Sequence, residues 1–522
     1  MKLIFAEPPK TSTYIFVVSL LSTLVFNIEL FKYVIANVGI TTFSGIQVFL
    51  SVFSIAFYFT FVISTFIGLI SPSLLRLFLA ITTVLNVTAL YFMTVYNVVL
   101  DRMMMGNIFN TRLSESQELF TFDAISYTVI VGILPAFLLF KVRSGNWDRI
   151  RIAANGLVIT CLALLFLYAN STSWLWIDKH ASMLGGKILP WSYIINSTRH
   201  YMSTSRSIED QSELPQGRFT NARKTIVVLV IGETARSDNF SLYGYNKKTN
   251  PLLEAQSNLL ILNGTQSCTT YTTGSLACIL APSREYLSFE ALPTYLHRHG
   301  AEVIWRTNNW GEPPIEVSSY VEAGELKKAC NGEKCRFDEV LLSDLASVIE
   351  SSDANKILVV LHTKGSHGPS YYDRYPKAFN RFSPVCQEEE IRKCEAEELV
   401  NAYDNTIVYT DHFLAQTIKA LESLNDTPSV MMYLSDHGES LGEYGLYLHG
   451  TPYTFAPDYQ KNIPFLIWTS NAFLKHKNLQ IERVSQAGNY SQFSIFHTIL
   501  GAFDFESDVY DRQLDVLKNS SH

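Results

Sequence analysis

A carboxylate and a histidine stand side by side late in the chain, and a second histidine follows shortly after them. Asp436 and His437 lie in the segment Ser-Asp-His-Gly-Glu-Ser, directly after the apolar run 430–434, and His449 lies in a nearby glycine-containing stretch. A carboxylate oxygen and an imidazole nitrogen are ligands that zinc accepts readily. The pair therefore predicts part of a metal site. A hydrogen-bonded turn at a strand end is the alternative, so the prediction depends on whether further ligands converge there.

Two other apolar runs lead to residues of the same chemical kind. The run 224–231 is followed by Glu233, and the run 356–361 leads to His367. Because the carboxyl ends of parallel strands meet at one edge of a sheet, functional groups are expected at that edge. We therefore expect these two side chains to gather with the Asp436 segment. A solvated glutamate and a histidine in a simple turn are the alternatives for each residue taken alone.

A hydroxyl-rich loop lies between Cys268 and Cys278, with the sequence Thr-Thr-Tyr-Thr-Thr-Gly-Ser-Leu-Ala between them. A threonine hydroxyl is a weak nucleophile unless a base or a metal stabilises its alkoxide. A metal beside this loop would provide that stabilisation, which predicts covalent catalysis. An exposed loop that is merely rich in threonine is the alternative.

The elements that must position these groups alternate between strands and helices. The runs 224–231, 301–305, 356–361 and 429–434 are typical of strands buried on both faces of a parallel sheet. A helical pattern over 397–421 lies between the last two of them. This alternation predicts an α/β sandwich.

Composition separates this part of the chain from the part before it. The chain has 522 residues, of which 48% are hydrophobic and 17% charged, with a net charge of -7 and a mean hydropathy of +0.11. It is too apolar for an ordinary soluble protein and too charged for one lying wholly in a membrane. Runs near the length of about 20 residues that crosses a bilayer predict five membrane helices, at 13–34, 46–70, 75–96, 124–141 and 151–169.

Basic residues in alternate loops predict the orientation of these helices. Lys2 and Lys10 precede the first run, Arg76 lies in the second turn, and Arg143 and Arg149 lie in the fourth. Since basic loops stay in the cytoplasm, the part of the chain after the fifth run is expected outside. A cleaved signal peptide is the alternative for the first run. That run is long and no Ala-x-Ala pattern follows it, so an uncleaved anchor is expected.

Six of the seven cysteines form local pairs in the exported part: Cys268 with Cys278, Cys330 with Cys335, and Cys386 with Cys394. Local pairs in an exported domain predict disulfides. Zinc knuckles are the alternative, but the spacings are irregular and no histidine accompanies them. Cys161 stands alone within the fifth apolar run.

Five segments together resemble one enzyme family. They are Ile-Gly-Glu-Thr-Ala-Arg at 231–236, the threonine loop, Lys-Gly-Ser-His-Gly-Pro at 364–369, Ser-Asp-His-Gly-Glu-Ser at 435–440 and Leu-His-Gly-Thr-Pro at 448–452. They are similar to those of the membrane-bound phosphoethanolamine transferases that modify bacterial lipopolysaccharide, a family that includes the colistin-resistance enzymes. Its catalytic domain belongs to the alkaline phosphatase and sulfatase superfamily. The resemblance covers most of the chain, the five membrane helices included.

The resemblance implies roles for individual residues. The positions that match the family's zinc ligands are Glu233, Thr272, Asp436 and His437. Thr272 is also the implied nucleophile, and the alternatives to it are Thr269, Thr270 and Thr273. His367 and His449 match residues that bind a second zinc or the transferred phosphate, and His362 is a weaker member of that set. The number of zinc ions and the general acid stay open.

The resemblance also implies how the chain is divided. A membrane domain of five helices is expected at 1–170, a bridging segment at 171–220, and a catalytic α/β/α domain of alkaline phosphatase and sulfatase type at 221–522. The donor head group is expected on Asn107, Thr111 and Glu115, whose spacing of four would align them on one side of a helix. Glu115 would pair with the ammonium group. A solvated amphipathic helix is the alternative for this segment.

The implied activity is the transfer of phosphoethanolamine from phosphatidylethanolamine to lipid A or core sugars of lipopolysaccharide. The transfer would pass through a phosphorylated threonine and give resistance to cationic peptides and polymyxin. A monomeric, multi-pass protein of the bacterial inner membrane is expected, with its catalytic domain in the periplasm. Lipid A-directed relatives often place a lysine after the segment that matches 305–309, and this chain has none there. The acceptor therefore stays open.

Other functions remain alternatives. A phosphoglycerol transferase, a sulfatase or phosphodiesterase of the same superfamily, and transfer to a non-lipid periplasmic acceptor are the nearest. Cys268 lacks the Cys/Ser-x-Pro-x-Arg pattern that sulfatase maturation requires. A non-catalytic membrane receptor with a degenerate hydrolase domain is the alternative from another class. No basic patch or glycine-rich nucleotide loop indicates a nucleic-acid or nucleotide partner.

Overall fold

The computed structural model describes residues 10–110, 119–142, 147–209, 211–328, 330–388, 391–424, 426–484 and 490–518. The chain divides into two compact units, residues 1–202, called the helical unit, and residues 203–522, called the sheet unit. This division falls inside the predicted bridging segment 171–220. Hydrophobic core clusters lie within each unit.

The helical unit contains the membrane helices. Its α-helical segments are Thr11–Phe26, Ile28–Val38, Phe43–Ile70, Pro72–Val95, Arg102–Asn110, Phe122–Lys141 with a π-helical turn at Thr128–Ile133, Arg149–Ala169, Trp174–Lys179, Ala181–Lys187 and Trp191–Glu209, the last of which continues past residue 202. Four of these in the described residues are long and apolar enough to cross a membrane: Phe43–Ile70, Pro72–Val95, Phe122–Lys141 and Arg149–Ala169. The first two helices form a bent pair that makes a fifth crossing if the pair is one span.

A buried asparagine explains the bend within the first predicted membrane run. Thr11–Phe26 and Ile28–Val38 meet at 61°, and Asn27 between them is 1% exposed. Its side-chain amide donates to the carbonyl of Leu189 at 3.2 Å, and its side-chain oxygen accepts from the Leu189 N–H at 2.9 Å. A polar side chain that bonds to a distant segment gives the chain a reason to leave a straight helix here.

The membrane helices bury one set of apolar side chains and expose another. Phe61 and Leu75 lie in a buried cluster between helices, whereas Leu157 and Leu165 on the helix Arg149–Ala169 are more than half exposed. Outward-facing leucines suit a hydrocarbon surrounding, in which helices satisfy all of their backbone hydrogen bonds internally. This pattern agrees with the membrane-spanning role predicted from composition.

The sheet unit is built on a seven-stranded sheet with helices around it. The strands in chain order are β1 Gly217–Phe219, β2 Thr225–Gly232, β3 Leu259–Leu262, β4 Glu302–Thr307, β5 Ser319–Glu322, β6 Lys356–His362, β7 Ser429–Ser435, β8 Ser440–Leu441, β9 Tyr447–Leu448, β10 Phe465–Thr469 and β11 Phe505–Ser507. The main sheet has the order β3-β10-β7-β2-β6-β4-β5, and its α-helices are Pro251–Glu254, Thr272–Ile279, Leu292–Arg298, Ala323–Leu326, Leu345–Ser351, Ala396–Glu422, Asn471–Lys477 and Ser494–Ala502. The four predicted strands are confirmed as β2, β4, β6 and β7.

Strand register brings the predicted functional residues to one edge. β2 is buried along its whole length and runs parallel to β6 on one side and β7 on the other. Ile231 is level with His362, and Gly232 is level with Ser435. The residues that follow these strands therefore leave the sheet at the same edge. This confirms the predicted α/β arrangement and places Glu233 beside Asp436.

Packing on the sheet holds these strand ends in place. Alternate residues of β2, Val227, Leu229 and Ile231, lie in a large core cluster together with Phe496 and Ile499 of the helix Ser494–Ala502. Side chains buried to this extent contribute roughly 1.5–3 kcal/mol each to the stability of the fold. The strand ends that carry the functional residues are thus held by a fully buried core.

Candidate active site and metal centre

Glu233 is the first residue after β2, and its side chain is fully buried. Its carboxylate accepts hydrogen bonds from the Thr234 hydroxyl at 2.5 Å and from the Asn309 side-chain amide at 2.7 Å. Asn309 follows β4, so a second strand end orients this carboxylate. Sequence reasoning had given Asn309 no role, although it lies in the quoted stretch 305–309.

Asp436 and His437 follow β7 and are also fully buried. Asp436 Oδ1 accepts from the backbone N–H groups of Thr234 at 2.9 Å and His437 at 2.7 Å. Asp436 Oδ2 is buried and has no hydrogen-bond partner in the described part of the chain. A buried carboxylate oxygen left in this state costs free energy, which a cation beside it would offset.

The His437 ring is oriented by its own loop. Its Nδ1 lies 3.0 Å from the Gly438 carbonyl oxygen, and since a carbonyl accepts, Nδ1 carries the proton. Nε2 is then the ring nitrogen with a free lone pair, and it lies 3.2 Å from Asp436 Oδ2 and 3.5 Å from Glu233 Oε1. A carbonyl that fixes the tautomer of an imidazole is typical of metal-binding histidines.

Thr272 is the first residue of the helix Thr272–Ile279 and is 7% exposed. Its hydroxyl oxygen lies 3.3 and 3.4 Å from the two carboxylate oxygens of Glu233 and 3.5 Å from His437 Nε2. The start of a helix favours negative charge, such as that of a phosphoryl group. Thr269 and Thr270 direct their hydroxyls to the carbonyls of Tyr271 and Thr451 instead. The geometry thus favours Thr272 as the reactive hydroxyl.

A second group of residues lies next to this cluster: His449 and His367 are partly buried, and Glu439 is fully buried. The His449 ring centre is 4.2 Å from that of His437 and 5.9 Å from that of His367. His449 Nδ1 bonds to Glu439 Oε2 at 2.8 Å, and Glu439 in turn accepts from the Tyr371 hydroxyl at 2.5 Å. Sequence analysis missed Glu439 although it stands in the segment 435–440, because nothing in the sequence shows which way that loop folds back.

His362 and His367 differ in their surroundings. His362 ends β6, and its Nδ1 lies 3.4 Å from the Thr307 hydroxyl and 3.8 Å from Glu312 Oε2. His367 Nδ1 is buried without a hydrogen-bond partner in the described residues, and burial holds its pKa well below the ordinary value. A neutral imidazole next to His449 can serve as a metal or phosphate ligand.

Burial governs the charge state of the whole cluster. It raises the pKa of Glu233 to about 8, with the neighbouring Asp436 carboxylate adding to the rise. It also raises the pKa of Asp436 to about 6 and lowers that of His437 to about 4. Two carboxylates that resist ionisation and an imidazole that stays neutral form an arrangement that a divalent cation would stabilise.

The donor set fits such a cation. The ligand atoms of Glu233, His437 and His449 all lie within 4.8 Å of one another. Asp436 Oδ2, which is buried and has no hydrogen-bond partner among the described residues, and the Thr272 hydroxyl add two oxygens beside them. A mixed set of carboxylate, hydroxyl and imidazole ligands suits zinc. These residues therefore form a candidate metal centre.

The structure contains three disulfides, and one of them, together with a glutamine, holds the threonine loop. Cys268 is joined to Cys278, Cys330 to Cys335 and Cys386 to Cys394. Gln492, fully buried, accepts from the Cys268 N–H at 2.8 Å and donates to the Asp436 carbonyl at 2.6 Å. It links the threonine loop to the end of β7, and sequence analysis did not identify it.

Of the three predicted donor-binding residues, the structure describes Asn107, which lies in the helical unit. Asn107 is part of the helix Arg102–Asn110, and a Cβ at neighbouring Gly106 would touch the His200 ring. Thr111 and Glu115 lie outside the described residues. Their role in holding a head group stays a prediction.

The fold and the site together define a class of protein. Membrane helices, an α/β unit and a buried Glu-Thr-Asp-His cluster at its strand ends are the features of a membrane-bound enzyme of the sulfatase class. The Sulfatase family model matches residues 225–505, and the model described as phosphoethanolamine transferase EptA/EptB matches residues 55–205.

Individual relatives narrow this class to one family. The chain is 40% identical over 466 residues to the phosphoethanolamine transferase EptA of Helicobacter pylori, with 87% of each chain covered. It is 31% identical over 464 residues to the phosphatidylethanolamine transferase Mcr-1 of Escherichia coli, with 83% of this chain and 84% of the other covered. The integral membrane lipooligosaccharide phosphoethanolamine transferase A of Neisseria meningitidis matches with a TM-score of 0.88 at 30% identity, over 98% of this chain and 99% of the other. The chain belongs to the phosphoethanolamine transferases.

Proposed function

We propose that the enzyme transfers phosphoethanolamine from phosphatidylethanolamine to lipid A or to a core sugar of lipopolysaccharide. The observation that carries this proposal is the Thr272 hydroxyl, buried at a helix start between Glu233 and His437. The name of the Mcr-1 relative supports phosphatidylethanolamine as the donor. The name of the Neisseria meningitidis relative supports a lipid-linked oligosaccharide as the acceptor.

In the first step, the Thr272 oxygen attacks the phosphorus of the donor lipid. A new bond forms between this oxygen and phosphorus, and the bond between phosphorus and the glycerol oxygen breaks. Diacylglycerol leaves with the proton that Thr272 has lost, and Thr272 then carries phosphoethanolamine. Glu233 accepts the hydrogen bond of the hydroxyl and so orients its oxygen for this attack.

In the second step, a phosphate or hydroxyl oxygen of the acceptor attacks the same phosphorus. The bond to Thr272 breaks, the threonine oxygen regains a proton, and the modified acceptor is released. The N-terminus of the helix Thr272–Ile279 favours the negative charge that builds up on the phosphoryl oxygens in both steps.

Zinc is the metal that this ligand set fits best. Glu233, Thr272, Asp436 and His437 would hold it, and His367 with His449 would bind a second zinc ion or the transferred phosphate. Zinc, when bound, would lower the pKa of the threonine hydroxyl and stabilise negative charge on the phosphoryl oxygens.

Membrane helices and disulfides also support a location for the enzyme in the cell. The membrane helices would anchor it in the bacterial inner membrane as a monomer, with the sheet unit in the periplasm where disulfides persist. Each transfer adds a positive ammonium group to an anionic surface. This weakens the attraction of cationic peptides such as polymyxin to that surface.

Mass spectrometry of lipid A and core sugars tests the proposal. Cells that lack the gene are compared with cells that express the wild type, T272A or T273A, where Thr273 is the next residue of the same helix. We expect added phosphoethanolamine with the wild type and T273A, and none with T272A. Modification by T272A would refute the assignment of the nucleophile. Added phosphoglycerol, or donor hydrolysis without transfer, would refute the proposed reaction in favour of an alternative in the same superfamily.

A further inference from the structure

The loop between β4 and β5 passes directly beside the proposed nucleophile. Gly311 has a φ of +107°, which glycine adopts at little cost. A Cβ built on it would lie 3.5 Å from Thr272 Cγ2 and 3.2 Å from Thr273 Cγ2. The loop therefore contacts the start of the helix that carries Thr272, and Glu312 is the next residue of this loop.

The two carboxylate oxygens of Glu312 differ in their hydrogen bonding. Oε1 accepts from the Tyr320 hydroxyl at 2.5 Å. Oε2 is buried, has no hydrogen-bond partner among the described residues and lies 3.8 Å from His362 Nδ1, beyond hydrogen-bond range. The side chain is 14% exposed, and no lysine or arginine of the described ranges forms an ion pair with it. A buried carboxylate oxygen of this kind has a marked preference for a cationic donor.

The group attached to Thr272 in the proposed reaction supplies such a donor. A phosphoethanolamine on this residue carries a primary ammonium two carbons beyond its phosphate oxygen. An ammonium has three N–H donors and no acceptor, which complements an acceptor-only carboxylate. The ethanolamine arm can extend along the loop from Thr272, past Gly311, toward Glu312.

We propose that Glu312 binds the ammonium group of phosphoethanolamine while its phosphorus is at Thr272, and that it selects this head group over uncharged ones. This inference rests on the proposed function, because it assumes that the donor reacts at Thr272. It assigns to Glu312, at the stage when the phosphorus is at Thr272, the ammonium group that the sequence analysis assigned to Glu115, which lies outside the described residues. A residue of the loop that follows β4 then determines which donor head group the enzyme selects.

Two donor lipids of the same shape test the proposal. Phosphatidylpropanol has a methyl group where phosphatidylethanolamine has its ammonium, so a difference between them reports on the charge. The full-length enzyme in detergent is given each lipid, and kcat/KM for diacylglycerol release is measured for the wild type, E312Q and E316Q. Glu316 is an exposed carboxylate of the same loop and serves as the matched control.

We expect the wild type and E316Q to prefer phosphatidylethanolamine by about tenfold or more, as a charged hydrogen bond implies. In E312Q this preference falls to nearly one, mainly through a higher KM for phosphatidylethanolamine, while the rate with phosphatidylpropanol is unchanged. An unaltered preference in E312Q, or an equal loss on both lipids, would overturn the proposal. A wild type without preference would overturn it as well.

Further controls separate this proposal from a structural role and from the proposed function. Y320F removes the hydroxyl that bonds to Glu312 but keeps the carboxylate, so the preference should persist; its loss would contradict the assignment even if E312Q failed to fold. If the wild type releases diacylglycerol from neither lipid, the proposed function itself fails. Release from phosphatidylethanolamine with an unchanged preference in E312Q contradicts the role of Glu312 alone.

Discussion

Buried threonine hydroxyls of the long membrane helices bond to their own helix, whereas the buried carboxylates at the strand ends bond to distant parts of the sheet unit. On the helix Pro72–Val95, the Thr83 hydroxyl bonds to the carbonyl of Leu79, one turn earlier in the same helix. At the strand ends of the sheet unit, the Thr234 N–H bonds to Asp436, 202 positions further along the chain. The first kind of contact needs a helix alone, whereas the second needs the completed fold.

This difference shows where the chemistry of the enzyme resides. A hydroxyl satisfied within its own helix can be lost with little effect on its neighbours. A carboxylate shared among three strand ends orients several groups at once, so its loss changes the site as a whole. Substitutions at the strand ends of the sheet unit should therefore mainly reduce activity, whereas substitutions in the helical unit should mainly affect stability.

The largest effect is expected from E233Q. The change keeps the shape of the side chain but removes a charged ligand that faces both Thr272 and His437. We expect transfer activity to fall roughly a thousandfold or more, together with loss of bound zinc. Kinetic assays and elemental analysis of the purified full-length protein measure the two quantities. E422Q, which changes an exposed carboxylate at the end of the helix Ala396–Glu422, is the control, and full zinc content in E233Q would contradict the assigned ligand.

A smaller effect is expected from E439Q. Glu439 contacts His449 but not Thr272, so it acts by orienting the imidazole. We expect activity to fall by about ten- to a hundredfold, while most of the zinc is retained. Comparing zinc content and kcat of E439Q with those of E233Q sharpens the distinction between a ligand and an orienting residue. Loss of zinc equal to that of E233Q would place Glu439 among the ligands instead.

The helical unit also contains hydrogen bonds between distant segments, such as those of Asn27 and Asn196, and N27A tests the first of them. Asn27 bonds to both backbone groups of Leu189, 162 positions away. Leaving these groups unpaired should destabilise the protein by about 1–2 kcal/mol, seen as a lower melting temperature in detergent. T83A, which removes a hydroxyl bonded within its own helix, should change stability by less than about 0.5 kcal/mol. Equal effects of the two substitutions would remove the distinction between local and distant contacts in this unit.

The parallel core of the sheet was predictable because its strands have a distinct sequence pattern. β2, β6 and β7 are continuous apolar runs, and Glu233, Asp436 and His437 follow them directly. Their convergence needs no information beyond the parallel arrangement. β10 was not predicted, because a short apolar run such as Phe465–Thr469 does not distinguish a strand from a piece of buried helix.

The supporting residues were not predictable for a different reason. Asn309, Glu439 and Gln492 acquire their roles from contacts with distant residues, and their types are common in ordinary loops. The bend at Asn27 was hidden in the same way, because the apolar run around it continues without a break. Sequence patterns therefore identify the reactive residues more easily than they identify the residues that hold them in position.

Thr272, which contacts Glu233 and His437 at the strand ends, is the proposed nucleophile, and one measurement tests this claim most directly. The full-length enzyme is incubated with phosphatidylethanolamine in the absence of acceptor, quenched in acid, digested and examined by mass spectrometry. We predict a phosphoethanolamine group on Thr272, absent from T272A and present in T273A. A group attached to another residue, or a wild type that transfers phosphoethanolamine without ever carrying it, would contradict the claim.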